Sequence, residues 1–139
     1  MRPSAFDALC TAFAALDDSV TGGWEIHVTR RVGSAPQLVL RSAGGKRHPE
    51  LDLYDPFVLQ IVAYHTSQQS AYAQIEALIE HCLGLRSQGG EEHHWELTGW
   101  RVRDTHLGVP TLIEMIPVTD DEIIYGVALV AHFVLTPTP

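Results

Sequence analysis

The chain has 139 residues, of which 45% are hydrophobic and 19% charged, a composition typical of one globular domain over 1–139 and not of a disordered segment. Its formal net charge of -8, with Lys46 as the single lysine, argues against a protein that binds nucleic acid through a basic surface. No signal peptide, lipidation motif or transmembrane run is visible, and the apolar stretch 127–135 is too short to span a bilayer. We therefore expect a soluble protein that is made in a cytoplasm and has no membrane partner.

The first predicted helix runs from Ser4 to Asp17. Ser4 is a favoured N-cap residue, and Asp7 stands at the capping-box position three residues later. Apolar residues recur at helical spacing along one face, at Phe6, Leu9, Cys10, Phe13 and Leu16. The spacing therefore predicts an amphipathic helix that packs on a sheet.

Two strands are predicted next. Apolar and polar residues alternate over 24–31, which indicates a half-buried strand. A turn over 33–36 precedes a second apolar run at 37–41. We expect the second strand to return beside the first as its antiparallel partner.

Residues 42–55 interrupt the strand pattern with Gly44, Gly45 and Pro49. At this length a segment without secondary structure is usually functional or mobile, so we expect a long loop. One interpretation is a disordered surface loop. The other is an arm that reaches a partner, with Leu53 and Tyr54 as its anchors.

The core of the fold is predicted to be the strand Phe57–Tyr64 and the helix that follows it. The strand is apolar on both faces except at Gln60, as expected inside a sheet. Thr66 and Gln69 form a capping-box pattern, and Gly84 is placed to end the helix. The helix has one apolar face, made by Ala71, Tyr72, Ile75, Leu78, Ile79, Cys82 and Leu83.

A second loop, over 86–93, separates this helix from three further strands. The strand over 94–104 changes phase near Thr98-Gly99, which a β-bulge would explain. Pro117 indicates an edge position for the strand over 111–118, and the acidic run 120–122 indicates a tight turn. The elements together predict an α+β fold. Its form is a two-layer α/β sandwich with a mostly antiparallel sheet and two main helices, one N-terminal and one inserted mid-sheet.

The final strand, 123–136, is apolar at nearly every position and would extend roughly 43 Å. Such a strand has no face designed for water. We expect one end of it to leave its own core and contact another subunit, which makes Phe133 and Leu135 candidate interface residues together with Leu53 and Tyr54.

Motifs for catalysis or metal binding are missing. The sequence contains no Gly-x-x-x-x-Gly-Lys-Ser/Thr loop, no Cys-x-x-Cys and no His-Glu-x-x-His. The adjacent residues Glu91, Glu92, His93 and His94 could be metal ligands, but neighbours in a strand point to opposite faces, so a solvated loop is the simpler interpretation. The acidic run 120–122 lacks the spacing of an EF-hand loop.

The remaining histidines and the cysteines also have simple structural interpretations. His106 near Asp104 could form a dyad, although such pairs are common in loops. His132 lies between apolar neighbours and is expected to be a core histidine. Cys10 and Cys82 are expected to be buried free thiols, with a disulfide or a reactive thiol as alternatives. We therefore predict no enzyme, no cofactor and no metal, with the roles of His93, His94 and His106 left open.

The order of the elements resembles that of the tail terminator, or neck, proteins of long-tailed bacteriophages, also called tail completion or minor capsid proteins. The similar segments are 55–64, the helix pattern of Ala71, Ile75, Leu78 and Cys82, the segment 95–100, and the long final strand. The resemblance covers nearly the whole chain as a pattern, with no invariant chemical motif.

The resemblance implies a structural virion protein without catalytic residues. Family members form six-membered rings that cap the finished tail tube and join it to the head connector. The implied partners are other copies of the chain, the tail tube protein and the connector or stopper protein, with DNA only passing through the lumen. The implied location is the virion neck, after assembly in the host cytoplasm. An acidic lumen lets phosphates slide past, which fits the charge of -8.

A small ligand-binding or enzymatic α+β domain, such as an NTF2-like cone, is the alternative from another class. Its length and opening helix fit, but such domains usually place their helices before most of their strands. A structural subunit of a contractile or toxin-delivery particle differs from the first interpretation only in context. Converging polar residues in a closed pocket would favour the ligand-binding domain, and ring assembly would favour the terminator.

Overall fold

The computed structural model describes residues 2–16, 18–30, 36–87 and 95–138. These residues form two long helices and a seven-stranded sheet, in which each pair of strands except one is antiparallel. The helices are α1 (Ala5–Ala14) and α3 (Gln68–Ser87), with the single turn α2 (Asp18–Thr21) between them in the chain. The strands are β1 (Glu25–His27), β2 (Gln37–His48), β3 (Leu53–His65), β4 (Trp95–Leu97), β5 (Trp100–Leu107), β6 (Thr111–Thr119) and β7 (Glu122–Pro137).

The long final strand β7 lies at the centre of the sheet. The strand order is β1-β2-β3-β7-β5-β4, and β6 also pairs with β7. One side of β7 pairs with β3 from Tyr125 to Leu135. The other side pairs with β6 near its start and with β5 near its end. Neighbours on both sides pair the backbone of most of β7, and its apolar side chains Ile124, Val127, Leu129, Ala131, Phe133 and Leu135 are buried on the faces of the sheet.

The two-layer α/β sandwich predicted from the sequence is wrong. The described residues are mostly strand, and the mixed sheet curls into a half-barrel. Buried residues lie on both faces of this sheet. The main core lies on the helix side and includes Leu59, Ile61 and Leu129, whereas Val62 and Tyr64 belong to a second cluster on the opposite face. A two-layer sandwich has one buried face, so the second cluster is a consequence of the curl.

The largest local difference from the sequence prediction is the segment 42–55. It continues β2 and β3 as a hairpin whose turn lies at 49–52, and we call this outer part of the hairpin, residues 42–55, the arm. Gly44 and Gly45 lie at a bulge inside the strand, where the register shifts. A β-bulge inserts an extra residue without ending the ladder, and therefore glycines that suggested a loop are compatible with a strand.

Two further strand predictions are corrected. The strand β1 pairs with β2 in parallel, so the expected antiparallel hairpin is absent; alternation predicts a strand but does not fix its direction. The expected bulge at Thr98-Gly99 is instead a two-residue turn between β4 and β5, in which Leu97 pairs with Trp100. Cross-strand partners share a face of the sheet, so Leu97 and Trp100 both point to the core although they are three residues apart in the chain.

The helices form largely where the sequence predicts them. The Ser4 hydroxyl accepts a hydrogen bond from the Asp7 backbone N–H at 3.1 Å and caps α1, which ends at Ala14 and not at Asp17. Ser67, and not Thr66, caps α3 through the backbone N–H of Ser70 at 3.2 Å. The helix continues past Gly84 to Ser87. Ala71, Ile75 and Leu78 are fully buried against the sheet, as their spacing predicts.

Candidate functional site

The arm is fastened to the start of the chain by three charged residues. Asp52, in the turn of the arm, accepts a hydrogen bond from Arg2 at 2.9 Å on one carboxylate oxygen and from Arg47 at 2.7 Å on the other. Asp52 has a φ of 49°, a left-handed conformation that Asp tolerates better than most residues. We call Arg2, Arg47 and Asp52 the clamp.

Aromatic rings support both arginines of the clamp. The Arg2 guanidinium lies 4.8 Å from the ring centroid of Trp100, and the Arg47 guanidinium lies 5.6 Å from that of Tyr54. The two rings are themselves 5.6 Å apart. The Trp100 indole N–H donates to the Pro3 carbonyl at 2.9 Å, which fixes the segment before α1 against β5. A cavity of about 370 Å³ lies among these residues.

The hydrogen bonds of the clamp stabilise the charged forms of its residues. The hydrogen bond from Arg47 lowers the pKa of the Asp52 carboxyl, and the same bond raises the pKa of Arg47. Two guanidinium groups and one carboxylate leave a net positive charge beside two aromatic rings. Guanidinium groups do not deprotonate in proteins, so Arg2 and Arg47 stay charged and the cavity between them can hold an anion.

The four candidate interface residues have two different environments. Leu53 and Tyr54 are half-buried on the arm, and the Tyr54 ring also meets Phe57 edge-on at 5.2 Å. Phe133 and Leu135 are fully buried in the core of the same chain. Tyr54 is therefore held against its own chain and does not project. Phe133 and Leu135 present no surface to a partner, because both side chains pack inside the main core on the helix side of the sheet.

Large exposed apolar residues lie in several places among the described residues: Val28 after β1, Leu51 in the turn of the arm, Val109 before β6, and three residues on β6. Ile113, Met115 and Val118 of β6 are 42%, 56% and 49% exposed. Exposed and half-buried residues alternate along most of β6, and Ile116 packs against the buried cluster on the second face of the sheet. These residues were not singled out from the sequence, although the edge position of Pro117 was a usable signal.

The histidine candidates do not converge on a site. Glu91, Glu92, His93 and His94 lie outside the described residues. His106 contacts Asp104 at 2.9 Å between Nε2 and Oδ2, with the two side chains 63% and 42% exposed. His132 is the cross-strand partner of His106, and it is exposed and not part of the core. Alternation along β5 and β7 places these polar residues on the face of the sheet opposite the helices.

Cys10 lies on α1, and the side chain of Cys82 lies outside the described residues. Cys10 is half-buried and free, and burial together with the nearby Asp7 carboxylate raises its pKa to about 11. Within the described ranges no three His, Cys, Asp or Glu side chains are grouped so that they could hold a metal ion. In the same ranges no helix is both long and apolar enough to cross a membrane.

The sheet has several open edges in the described residues: β1, β4 and the part of β5 beyond Val102 each lack a strand neighbour on one side, and so do much of β2 and all of β6. On its outer side β2 pairs with β1 only as far as Val39, so in the described part of the chain no strand borders its remaining length. Likewise β6 pairs with β7 on one side only, as far as the structure describes the chain. The open edge of β2 and the open edge of β6 lie on opposite sides of the sheet and near opposite ends of β7. The open half of β2 lies across β3 from the end of β7, and β6 borders its start.

Comparisons with known proteins give no assignment. No protein-family model matches the chain, and no curated protein matches it either. Function is therefore inferred from the residues and from the geometry described above.

Proposed function

We propose that this chain is the subunit of a ring that caps a bacteriophage tail tube and joins it to the head connector, that is, a tail terminator. Its partners are further copies of itself, the tail tube protein and the connector or stopper protein. Its role is structural, without catalysis, cofactor or metal. The resemblance of the segments 55–64 and 95–100 and of the long final strand to the terminator family supports this proposal.

The observation that carries the proposal is that β2 and β6 present unlike open edges. A strand edge exposes unpaired backbone N–H and C=O groups, which are ready to pair with another chain. One edge belongs to β2 and the other to β6, at diagonal corners of the sheet. Contacts between two different surfaces of the same chain are head-to-tail, and they close into a ring when the rotation between subunits allows it.

The charge of the chain fits a DNA passage. The sequence has 17 acidic residues against 9 lysines and arginines. Carboxylates turned toward a central channel repel phosphates, so DNA slides through without being held. Reversing the charge of the residues that line the channel should slow or stall the transit of DNA.

Electron microscopy of particles that carry the protein tests the proposal. We expect a single closed ring of six subunits at the junction of tail and head. Particles made without the protein serve as the control and should have tails of irregular length or lack heads. A single copy, an open filament, or density nowhere near the end of a tail would overturn the proposal. The same images distinguish a phage from a contractile or toxin-delivery particle.

A small ligand-binding domain is the second candidate, and the cavity beside the clamp is the observation in its favour. Arg2 and Arg47 would bind a carboxylate or phosphate, while Tyr54 and Trp100 would stack on a planar group. This cavity lies between the arm and the start of α1, and not between a long helix and the curved sheet, where an NTF2-like cone places its pocket. Calorimetric titration with phosphate, acetate and benzoate separates the candidates, because saturable binding that Arg47→Gln abolishes would favour the ligand-binding domain.

A further inference from the structure

The hairpin of β6 and β7 projects beyond the rest of the sheet. Strand β3 pairs with β7 only as far as Tyr125, so residues 122–124 of β7 have β6 as their strand partner. Val118 is exposed on this projection, and Ile113 and Met115 are exposed on the part of β6 that precedes it. Its turn carries Asp120, Asp121 and Glu122, all exposed. We call these six residues the hairpin surface, which is apolar along the strand and acidic at the tip.

The open half of β2 has the complementary charge. Arg41, Lys46 and Arg47 are exposed along it, and residues 37–48 contain no acidic side chain. By contrast, residues 108–139 contain neither lysine nor arginine. We call the exposed stretch Arg41–Arg47 the basic edge. In a chain of net charge -8, three of the 9 basic residues are therefore concentrated on one open strand edge.

We propose that the hairpin surface of one subunit binds the basic edge of the next. This inference deepens the proposed ring by naming its contact. Pairing of β6 with β2 of the neighbour would satisfy the free backbone groups of both edges and continue the sheet from subunit to subunit. The acidic tip would meet Arg41 and Lys46, which orients the approach and sets the register, while Arg47 stays paired with Asp52 in the clamp.

The occupant of the basic edge is a second copy of this chain, because one chain carries both complementary surfaces. Charge opposition disfavours the isologous arrangements that bring two acidic tips or two basic edges together. The head-to-tail arrangement pairs unlike charges. That arrangement repeats from subunit to subunit, as a ring requires.

Charge reversal tests the contact. Asp120→Lys with Asp121→Lys reverses the tip, and Arg41→Glu with Lys46→Glu reverses the edge while leaving Arg47 in the clamp. Each double variant alone should reduce ring formation by about tenfold or more, because like charges then face each other. All four substitutions in one chain should restore it. Glu76→Lys with Glu80→Lys, on the exposed face of α3, is the matched control and should have no effect.

Disulfide cross-linking tests the same contact without a tail. In a chain with Cys10→Ala and Cys82→Ala, we add Val118→Cys on β6 and Ala43→Cys on β2, both at exposed positions. Oxidation of concentrated protein, and of isolated particles, should give a ladder of covalent oligomers that ends at a closed ring. A chain with Val118→Cys and Glu76→Cys is the control and should give no ladder. Circular dichroism and thermal denaturation confirm that each variant is folded.

The outcomes separate this inference from the proposed function. A ladder or charge rescue in a protein absent from tails would support the contact and overturn the terminator. A ring at the tail end that none of the reversals affects, and that gives no ladder, would overturn the contact and leave the terminator standing. Products that stop at a dimer, or cross-links from Val118→Cys to the tube protein, would also overturn the contact.

Discussion

At the residue scale, the bulge of the arm requires a glycine at position 45. Gly45 has a φ of 126°, and a Cβ at this position would lie 2.2 Å from the backbone oxygen of Pro56. No other residue type fits a bulge that brings two strands this close. The neighbouring Gly44 also has a positive φ, of 99°, but its Cβ would point into open space. A substitution at Gly44 therefore introduces backbone strain alone, whereas one at Gly45 introduces backbone strain and a steric clash.

We expect Gly45→Ala to lower the free energy of unfolding by about 3 kcal/mol, because a clash with backbone atoms adds to the strain of a positive φ. Gly44→Ala is the matched control and should cost about 1 kcal/mol, from backbone strain alone. Urea denaturation of the two variants measures the difference. Equal losses would show that the strands of the arm can separate at the bulge without penalty.

The reactivity of Cys10 is a second prediction at this scale. Burial, and secondarily the Asp7 carboxylate, raises its pKa to about 11, so at pH 8 only about one thiol in a thousand is ionised. Because the thiolate is the reactive form, alkylation should be slow at pH 8 and should accelerate as the pH rises toward 11. Iodoacetamide labelling in a Cys82→Ala background measures the rate. Asp7→Asn should speed it, and labelling as fast as in urea would contradict the prediction.

At the element scale, α3 holds the helix side of the core. Ile75 and Leu78 are fully buried, and the Gln74 side chain donates to the Val20 carbonyl at 2.9 Å, which ties α3 to α2. Ile75→Ala and Leu78→Ala should each lower the free energy of unfolding by about 2–5 kcal/mol, since each leaves a cavity. The exposed Glu76→Ala is the control and should change it by less than about 0.5 kcal/mol. A loss below about 1 kcal/mol for both core variants would show that another face of the helix is buried.

The arm gives a second prediction for an element. Lys46 and Arg47 are trypsin sites, but both lie in a paired strand, and Arg47 is held by Asp52. Cleavage there should therefore be slow in the isolated chain, contrary to the behaviour of a loop. Asp52→Asn keeps a residue that tolerates the positive φ but removes the charge, and it should speed cleavage after Arg47. Rapid cleavage of the unmodified chain at these two sites would show that the arm opens freely.

At the scale of the whole molecule, the central position of β7 changes the expectation for assembly. Phe133, Leu135 and Leu129 are covered by their own chain, so no large apolar core is left for a partner to bury. The large apolar side chains that remain exposed in the described residues are few: Val28, Leu51, Val109, Ile113, Met115 and Val118. The isolated chain should therefore be monomeric in dilute solution and should form rings on a tail tube, where neighbours are held close together.

Sedimentation velocity at rising protein concentration checks this prediction. The monomer should persist at low micromolar concentration, and larger species should appear only in concentrated protein and decline as salt is added, because the contact depends on charge. The variant with Asp120→Lys and Asp121→Lys is the control and should remain monomeric throughout. A hexamer that is stable at submicromolar concentration would contradict the prediction, since it would require a larger apolar interface than the chain exposes.

The sequence by itself determined the local elements of this protein. The caps and apolar stripes place α1 and α3 within a few residues, and Asp120-Asp121 form the expected turn, because such signals act between residues that are close in the chain. Of the residues around the clamp, the sequence pattern indicates only Tyr54 as a candidate site residue. Arg2, Asp52 and Trp100 are far apart in sequence, and no periodicity relates them.

Only the tertiary structure decided the direction of β1, the pairing of the arm, the central place of β7 and the curl of the sheet. Each depends on which distant strand a segment pairs with, and identical alternation is compatible with a parallel or antiparallel neighbour and with a central or edge position. The glycines at 44 and 45 show the limit most clearly. In the sequence they indicate a break, and in the fold they form a bulge, because the approach of Pro56 on the next strand requires the absence of a side chain there.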